Sequence, residues 1–429
     1  MSPRKYAPLL IGVILLSALL LLQLSRNADP ASTGSPDGKS ADQPATGEAV
    51  IEERTEIRVN VSLPADQYRE LKELSDNFML KYPYIQVTLA NEPDANKAYG
   101  AWTEDSRRGE AADVMLMDNG WVRAFAVRGY LQSADNAMTG DTLTDQMAGL
   151  LDPLKWNGYL WGVPMDVDPY VVVWNRLLLD EAGLKTPPAD WPAYQTAAAK
   201  VIERHADASI LNWSAGDLRQ QLVWLAALQA DPSDLINLQE PSDALVSQLR
   251  WLDTMNARIS RIGTDSIAEI SEALAGRKLL TAVLPWTAFE KLSASVRDGL
   301  IFDRERILFP WLNGRSYVVS SYCKAEEESM LWVSEMTEIY NQQRNYDLFG
   351  QLPARASLYA ANDDERSGQS RIPPAWWKSA LNANQPAGHI PAADPQWPEN
   401  WQRREGMWRQ YSESGLQLEA FVQALQGGA

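Results

Sequence analysis

From Glu56 onward apolar strands alternate with amphipathic helices, and this rhythm is the strongest limit on what the chain can become. EIRVNVSL (Glu56–Leu63) alternates with the two-residue period of a strand. DQYRELKELSDNFMLKYP (Asp66–Pro83) has an apolar face at helical spacing and is stopped by proline. Ile85–Leu89 is the next strand, and Val114–Met117 follows it before Asp118, so the order is β-α-β-α-β. That order predicts a parallel sheet covered by helices.

A second α/β stretch starts after Pro164, with helices expected over Trp191–His205, Ser214–Gln229 and Ser242–Ile259. Residues 279–289 read as a strand running into Pro285-Trp286, Arg315–Tyr322 as a strand, and Glu326–Asn345 as one helix. Beyond residue 360 the chain is rich in Trp and Pro, with helix expected from about Glu413. A length of 429 residues favours two lobes over a single core.

Two stretches place polar and aromatic side chains at the ends of strands. They are DVMLMDNGWVRAFAVRGYLQ (Asp113–Gln132) and GYLWGVPMDVDPYVVVWNRLLLDEAGL (Gly158–Leu184). Open α/β sheets hold ligands at such ends, so a binding cleft is expected there. The aromatic composition points to its occupant, with 17 Trp and 15 Tyr against 7 Phe. Flat amphipathic rings stack on the C–H faces of sugars while neighbouring polar groups bond the hydroxyls. Trp191, Trp224, Trp251 and Trp332 lie inside helical patterns and read as core, whereas Trp121 and Trp286 each follow a strand at a turn. Those two are candidate ligand contacts, together with Asp118, Asn119, Asp166 and Asp168. Capping of the helix near Trp121 is the competing role for Asp118 or Asn119. Asp166 and Asp168 precede Pro169 rather than a helix, so capping explains them less well.

Other chemistries find little support. A net charge of -17 without a Lys/Arg cluster argues against nucleic acid. There is no nucleophile elbow, HExxH, phosphate loop or CxxC, and His205 and His389 have no metal spacing. No metal, cofactor or catalytic residue is expected. Asp166 and Asp168, about 7 Å apart on one side of an extended chain, could in geometry serve glycoside cleavage, but nothing else in the chain joins them. The single cysteine, Cys323, forms no internal disulfide and reads as a buried, inert thiol.

The N-terminus reads as an export segment. Residues 2–5 are SPRK, and Tyr6–Leu24 is apolar except for Ser17 and Gln23. Nineteen helical residues span about 28 Å, close to a bilayer's hydrocarbon thickness. A retained anchor is favoured over a cleaved signal peptide within residues 1–24, since no clean small-x-small site follows. Residues 25–54 are rich in Asp, Pro, Ser, Gly and Ala and read as a flexible linker. Either reading puts the domain outside the cell membrane, anchored or secreted.

Four blocks carry a resemblance. They are ADVMLMDNGWVRAFAVRGYLQ, GYLWGVPMDVDPYVVVWNRLLLDEAGLKTPPADWPAYQTAA, AGRKLLTAVLPWTAFEKL and LFGQLPARASLY. In order and spacing, residues 55–429 resemble the family 1 extracellular solute-binding proteins, the maltodextrin-binding-like sugar receptors of bacterial ABC importers. The resemblance implies an α/β, two-lobe periplasmic-binding-protein-like fold of type II, with a ligand cleft between lobes and several hinge crossings. Mapped here, the N-terminal lobe is 55–163 plus 317–352 and the C-terminal lobe 164–316 plus 353–429. It also implies a carbohydrate ligand, ABC permease subunits as partners, a monomeric chain and no enzymatic chemistry. Aromatics near Trp121 and Trp286 and polar groups near Asp118 and Asp166 would line the site. Three departures stand out. No lipobox cysteine follows the apolar segment, SYVVSSYCKAEEE replaces a glycine-rich strand, and the MDVDP turn is unusually acidic. The first leaves a membrane-anchored sensor feeding a receptor or kinase as the alternative. The last leaves open a cationic or amino-bearing ligand.

Overall fold

The computed structural model describes residues 54–426 apart from 137, 139, 230–232, 239, 305–306, 361–370 and 414. The expected anchor at 6–24 and all but the last residue of the linker lie outside the described residues. Among the described residues no helix is long and apolar enough to cross a membrane.

Two mixed sheets organise this part of the chain. Their strands are β1 (Thr55–Val61), β2 (Ile85–Asn91), β3 (Val114–Asp118), β4 (Val163–Val167), β5 (Tyr170–Asn175), β6 (Ser209–Asn212), β7 (Ile259–Ser260), β8 (Leu279–Pro285), β9 (Leu300–Phe302), β10 (Gly314–Val319) and β11 (Leu352–Pro353). The first sheet has the order β11-β4-β10-β3-β1-β2, and the second β9-β5-β8-β6-β7. β1 runs parallel to β2 and β3, while β10 is antiparallel to β3 and β4. In the second sheet β8 is parallel to β6 and antiparallel to β5.

The helices used below are α1 (Ala65–Lys81), α2 (Ala95–Arg108), α3 (Asn119–Val127), α4 (Trp191–Arg204), α5 (Leu218–Ala227), α6 (Asp243–Thr254), α7 (Trp286–Glu290), α8 (Glu326–Met336), α9 (Ile339–Phe349), α10 (Ala375–Asn382), α11 (Trp397–Ser412) and α12 (Leu418–Gln426). Each sheet has its own core. Ile57, Val59 and Val61 alternate inward along β1 and meet Phe78, Trp102, Phe125 and Trp332 in the first. Val173, Trp174, Tyr194, Trp213, Trp224 and Trp408 anchor the second. Trp224 and Trp332 are fully buried, and Trp191 and Trp251 pack against the second core.

Three crossings join the sheets. One is Asp168-Pro169 between β4 and β5, the second is 303–313 between β9 and β10, and the third leaves β11 after Pro353. All of β4 and β10 belongs to the first sheet.

Two helical expectations need correction. The run 326–345 is two helices, α8 and α9, turned at Thr337–Glu338. The turn is held by side chains: the Thr337 hydroxyl donates to the Val333 carbonyl, Asn341 Nδ2 to the Glu335 carbonyl and Gln342 Nε2 to the Thr337 carbonyl. These polar groups satisfy the helix-end carbonyls without further helix. The C-terminal part turns helical well before Glu413, in α10 and α11. Pro398 sits at the start of α11, where proline's missing N–H costs nothing.

Candidate functional site

The two sheets turn a strand-end rim toward each other. On the first rim, β1, β2 and β3 lead into α1, α2 and α3. On the second, β6 leads to α5 and β8 to α7. The rims meet through an ion pair. Asp118, the last residue of β3, contacts Arg219 on the first turn of α5 at 2.5 Å. The other Asp118 oxygen accepts the Gly120 N–H at 2.8 Å, so the same carboxylate also caps α3. Asp217, the N-cap of α5, accepts from the Tyr170 hydroxyl at 2.8 Å and the Thr264 hydroxyl at 2.9 Å. Glu405 of α11 lies near Arg219 and Asp217, and burial holds its carboxyl above the ordinary range.

A second polar cluster lies across the first sheet. Arg315 stands in register with Asp118 on one side and Asp166 on the other. Its guanidinium makes a two-pronged pair with Asp166 and also donates to Gln67 and Gln351, each at 2.7 Å. The acidity of Asp166 is thus spent on the protein's own cation, and the turn offers little to a cationic ligand. Asn119 is buried as well. Its amide donates to the Trp311 carbonyl and accepts from the Ser316 hydroxyl at 2.7 Å.

Asp168 sits at the crossing itself. Its carboxylate accepts the Thr287 N–H at 2.9 Å and the Thr287 hydroxyl at 2.7 Å. Its backbone exchanges two 3.1 Å bonds with Asn313, which ties the first crossing to the second. Asn313 adopts φ 66°, a left-handed conformation that asparagine tolerates better than most residues. Burial pushes the Asp168 carboxyl up to about 6, against the pull of the Thr287 donors.

The two tryptophans singled out from the sequence face inward. Trp121 packs on Tyr99 and Trp102, with ring centroids 5.1 and 6.1 Å away, and is 7 % exposed. Trp286 lies edge-on to Trp376 and Trp377 and is 3 % exposed, with no partner for its indole N–H. Trp397 of α11 stands instead against the start of α3. A Cβ on Gly120 would stand 2.8 Å from its ring. Trp397 also stacks on Trp401 and donates to the Ile236 carbonyl.

The structure therefore brings Asp118 to a cross-rim contact and puts Asn119, Asp166 and Asp168 in its supports. The two tryptophans lie beneath the rims. Arg219, Asp217, Arg315 and Trp397 escaped the sequence reading. Arg219 carried a usable signal, as a cation just after a strand and a helix-capping Asp, but Arg315 became visible only through strand register.

Comparison with known proteins matches this architecture. The family model for bacterial extracellular solute-binding proteins matches residues 73–381. The chain belongs to that family. This solute-binding protein is also 27% identical over 99 residues to a binding protein of Brucella abortus (strain 2308), a match spanning 23% of this chain and 24% of the relative. Solved structures share its fold over most of its length. The sugar-binding protein MalE of Xanthomonas citri has a TM-score of 0.64 at 18% identity, covering 87% of this chain and 96% of that one. The GacH receptor of Streptomyces glaucescens has a TM-score of 0.61 at 17% identity, over 87% and 97%. Maltose-bound MalE3 of Thermotoga maritima has a TM-score of 0.60 at 15% identity, over 87% and 98%. The solute-binding protein thus has the mixed α/β, two-lobe fold of sugar receptors, and its family is an exported one.

Proposed function

We propose that this protein captures a carbohydrate, a sugar or oligosaccharide, by closing its two lobes over it, and delivers it to an ABC importer. The lobes divide at the three crossings, and the chain works outside the membrane as a monomer without chemistry of its own, tethered through residues 6–24. The observation that carries the reading is the Asp118–Arg219 pair, in which polar groups of both rims converge. Closing such a cleft gives the ligand contacts that exist in one state only, which is how binding shifts a hinge equilibrium. Known sugar receptors of the same fold support the choice of ligand class.

Within the cleft, Asp118 and Arg219 offer an acceptor and a donor to ligand hydroxyls, exchanging each other for the ligand. Asn119, Asp166 and Asp168 hold the rims and the crossing in place, and Trp121 and Trp286 back them from below. Neutral hydroxyls fit better than a cationic ligand, because Asp166 is already paired with Arg315. A thermal-shift screen of the purified protein across a broad carbohydrate panel tests the reading. A true ligand at 100 times its Kd adds about 2.7 kcal/mol of stability. No shift with any member would remove the carbohydrate assignment, and release of products from an oligosaccharide would overturn the absence of chemistry.

A further inference from the structure

We infer that the second lobe carries a separate pocket for a single pyranose ring of a neutral saccharide, on the flank formed by α6, β7 and the α11–α12 turn. A cavity of about 270 Å³ opens there, near the low end of the range for small-molecule pockets. Trp213, Ile259 and Leu416 supply apolar wall, and Tyr411 supplies a ring. Tyr411 stacks flat on Phe421, with centroids 4.5 Å apart and planes 2° from parallel. Phe421 is fully buried, so that stack occupies one face of the phenol, and the half-buried ring lines the cavity.

Two opposite charges flank this ring. Asp253 and Arg261 both line the cavity; burial raises the Tyr411 hydroxyl's pKa most, the Asp253 carboxylate and the nearby Glu419 raise it further, and the Arg261 guanidinium lowers it. They form no ion pair with each other. Arg261 donates to the Asn256 amide oxygen, while the Asp253 carboxylate and the Tyr411 hydroxyl have no side-chain hydrogen-bond partner among the described residues. The lining itself carries one charge of each sign, which disfavours a net anion or cation. The two charges leave a strong acceptor and a strong donor in the same lining as an aromatic ring. A sugar hydroxyl both donates and accepts, and a pyranose presents a C–H face beside its hydroxyls, so one ring answers every feature of the pocket. The site lies within one lobe and needs no closure. It is built from residues distinct from the cleft set and does not rest on the cleft reading.

Titrating the full-length protein with methyl β-D-glucopyranoside, followed by NMR, tests the pocket. The Trp213 indole N–H, assigned through Trp213→Phe, is the reporter, since Trp213 lines the pocket and its N–H is held by Ser412 next to Tyr411. A saturable shift of that resonance is expected. Asp253→Asn and Tyr411→Ala, both at positions away from the two cores' centres, should each weaken it about tenfold. Arg219→Ala, which disturbs only the cleft, should leave it unchanged. No movement at Trp213 up to roughly 50 mM glycoside, or a shift indifferent to Asp253→Asn and Tyr411→Ala, overturns the pocket. Loss of the shift in Arg219→Ala alone would assign it to the cleft and equally overturn the pocket, while leaving the cleft proposal standing.

Discussion

Asp168 joins a titrating carboxyl to the crossing between the sheets. Its folded pKa of about 6 lies above the ordinary value of 3.8, so the fold favours its protonated form. That contribution is fully present below about pH 4 and is lost as pH rises through about 6. The full difference is about 3 kcal/mol. Asp168→Asn keeps an acceptor for the Thr287 N–H, replaces the acceptor facing the Thr287 hydroxyl with an amide donor, and removes the charge. Urea denaturation should show wild type losing stability relative to Asp168→Asn between pH 4 and 7. Parallel curves for the two proteins would show that the carboxyl is not shifted. Gly120 tests the contact at the other end of the cleft. Because a Cβ there would meet the Trp397 ring at 2.8 Å, Gly120→Ala should cost about 1–3 kcal/mol in the same assay. An unchanged midpoint would mean that α11 does not press on α3.

Among the elements, β10 has the greatest reach, because its Arg315 stands between β3 and β4 and holds Asp166. Removing one partner of such a pair leaves a charge without compensation. Arg315→Met should cost about 3 kcal/mol or more, and Arg315→Met with Asp166→Leu less than the single change. Equal losses would show the two side chains to be uncoupled. Strand and helix types were largely legible in the chain: α1, α4 and β8 lie within two residues of their expected positions, because each has a clear period and a proline or cap at an end. The failures share a cause. The α8–α9 turn is made by Thr337, Asn341 and Gln342 bonding back to carbonyls, which a helix-friendly composition hides. In α11 the buried Trp397, Trp401 and Trp408 stand at helical spacing, but Arg404 and Ser412 share their face, so polar residues break up the apolar stripe.

Across the whole molecule, the proposed closure of the two rims at Asp118 and Arg219 would couple ligand to shape. Saccharide should lower the radius of gyration measured by X-ray scattering. Arg219→Ala should weaken binding about tenfold or more, since a hydrogen bond to a charged group is lost. Equal affinity in Arg219→Ala would remove that residue from the site. The acidic MDVDP turn shows how little local sequence says about a site's charge. Asp166 and Asp168 look like two free carboxylates, yet one meets a guanidinium 149 residues away and the other a threonine 119 residues away. Periodicity, caps and strand-end turns act over a few residues, so the α/β class and the place where chain ends gather could be read from the chain alone. Which side chains face the cleft depends on contacts between distant segments: Trp121 turned inward, Trp397 arrived from the C-terminal helices, and Arg219 crossed to Asp118. Only tertiary contacts decided those positions, because burial and charge pairing are properties of neighbours in space.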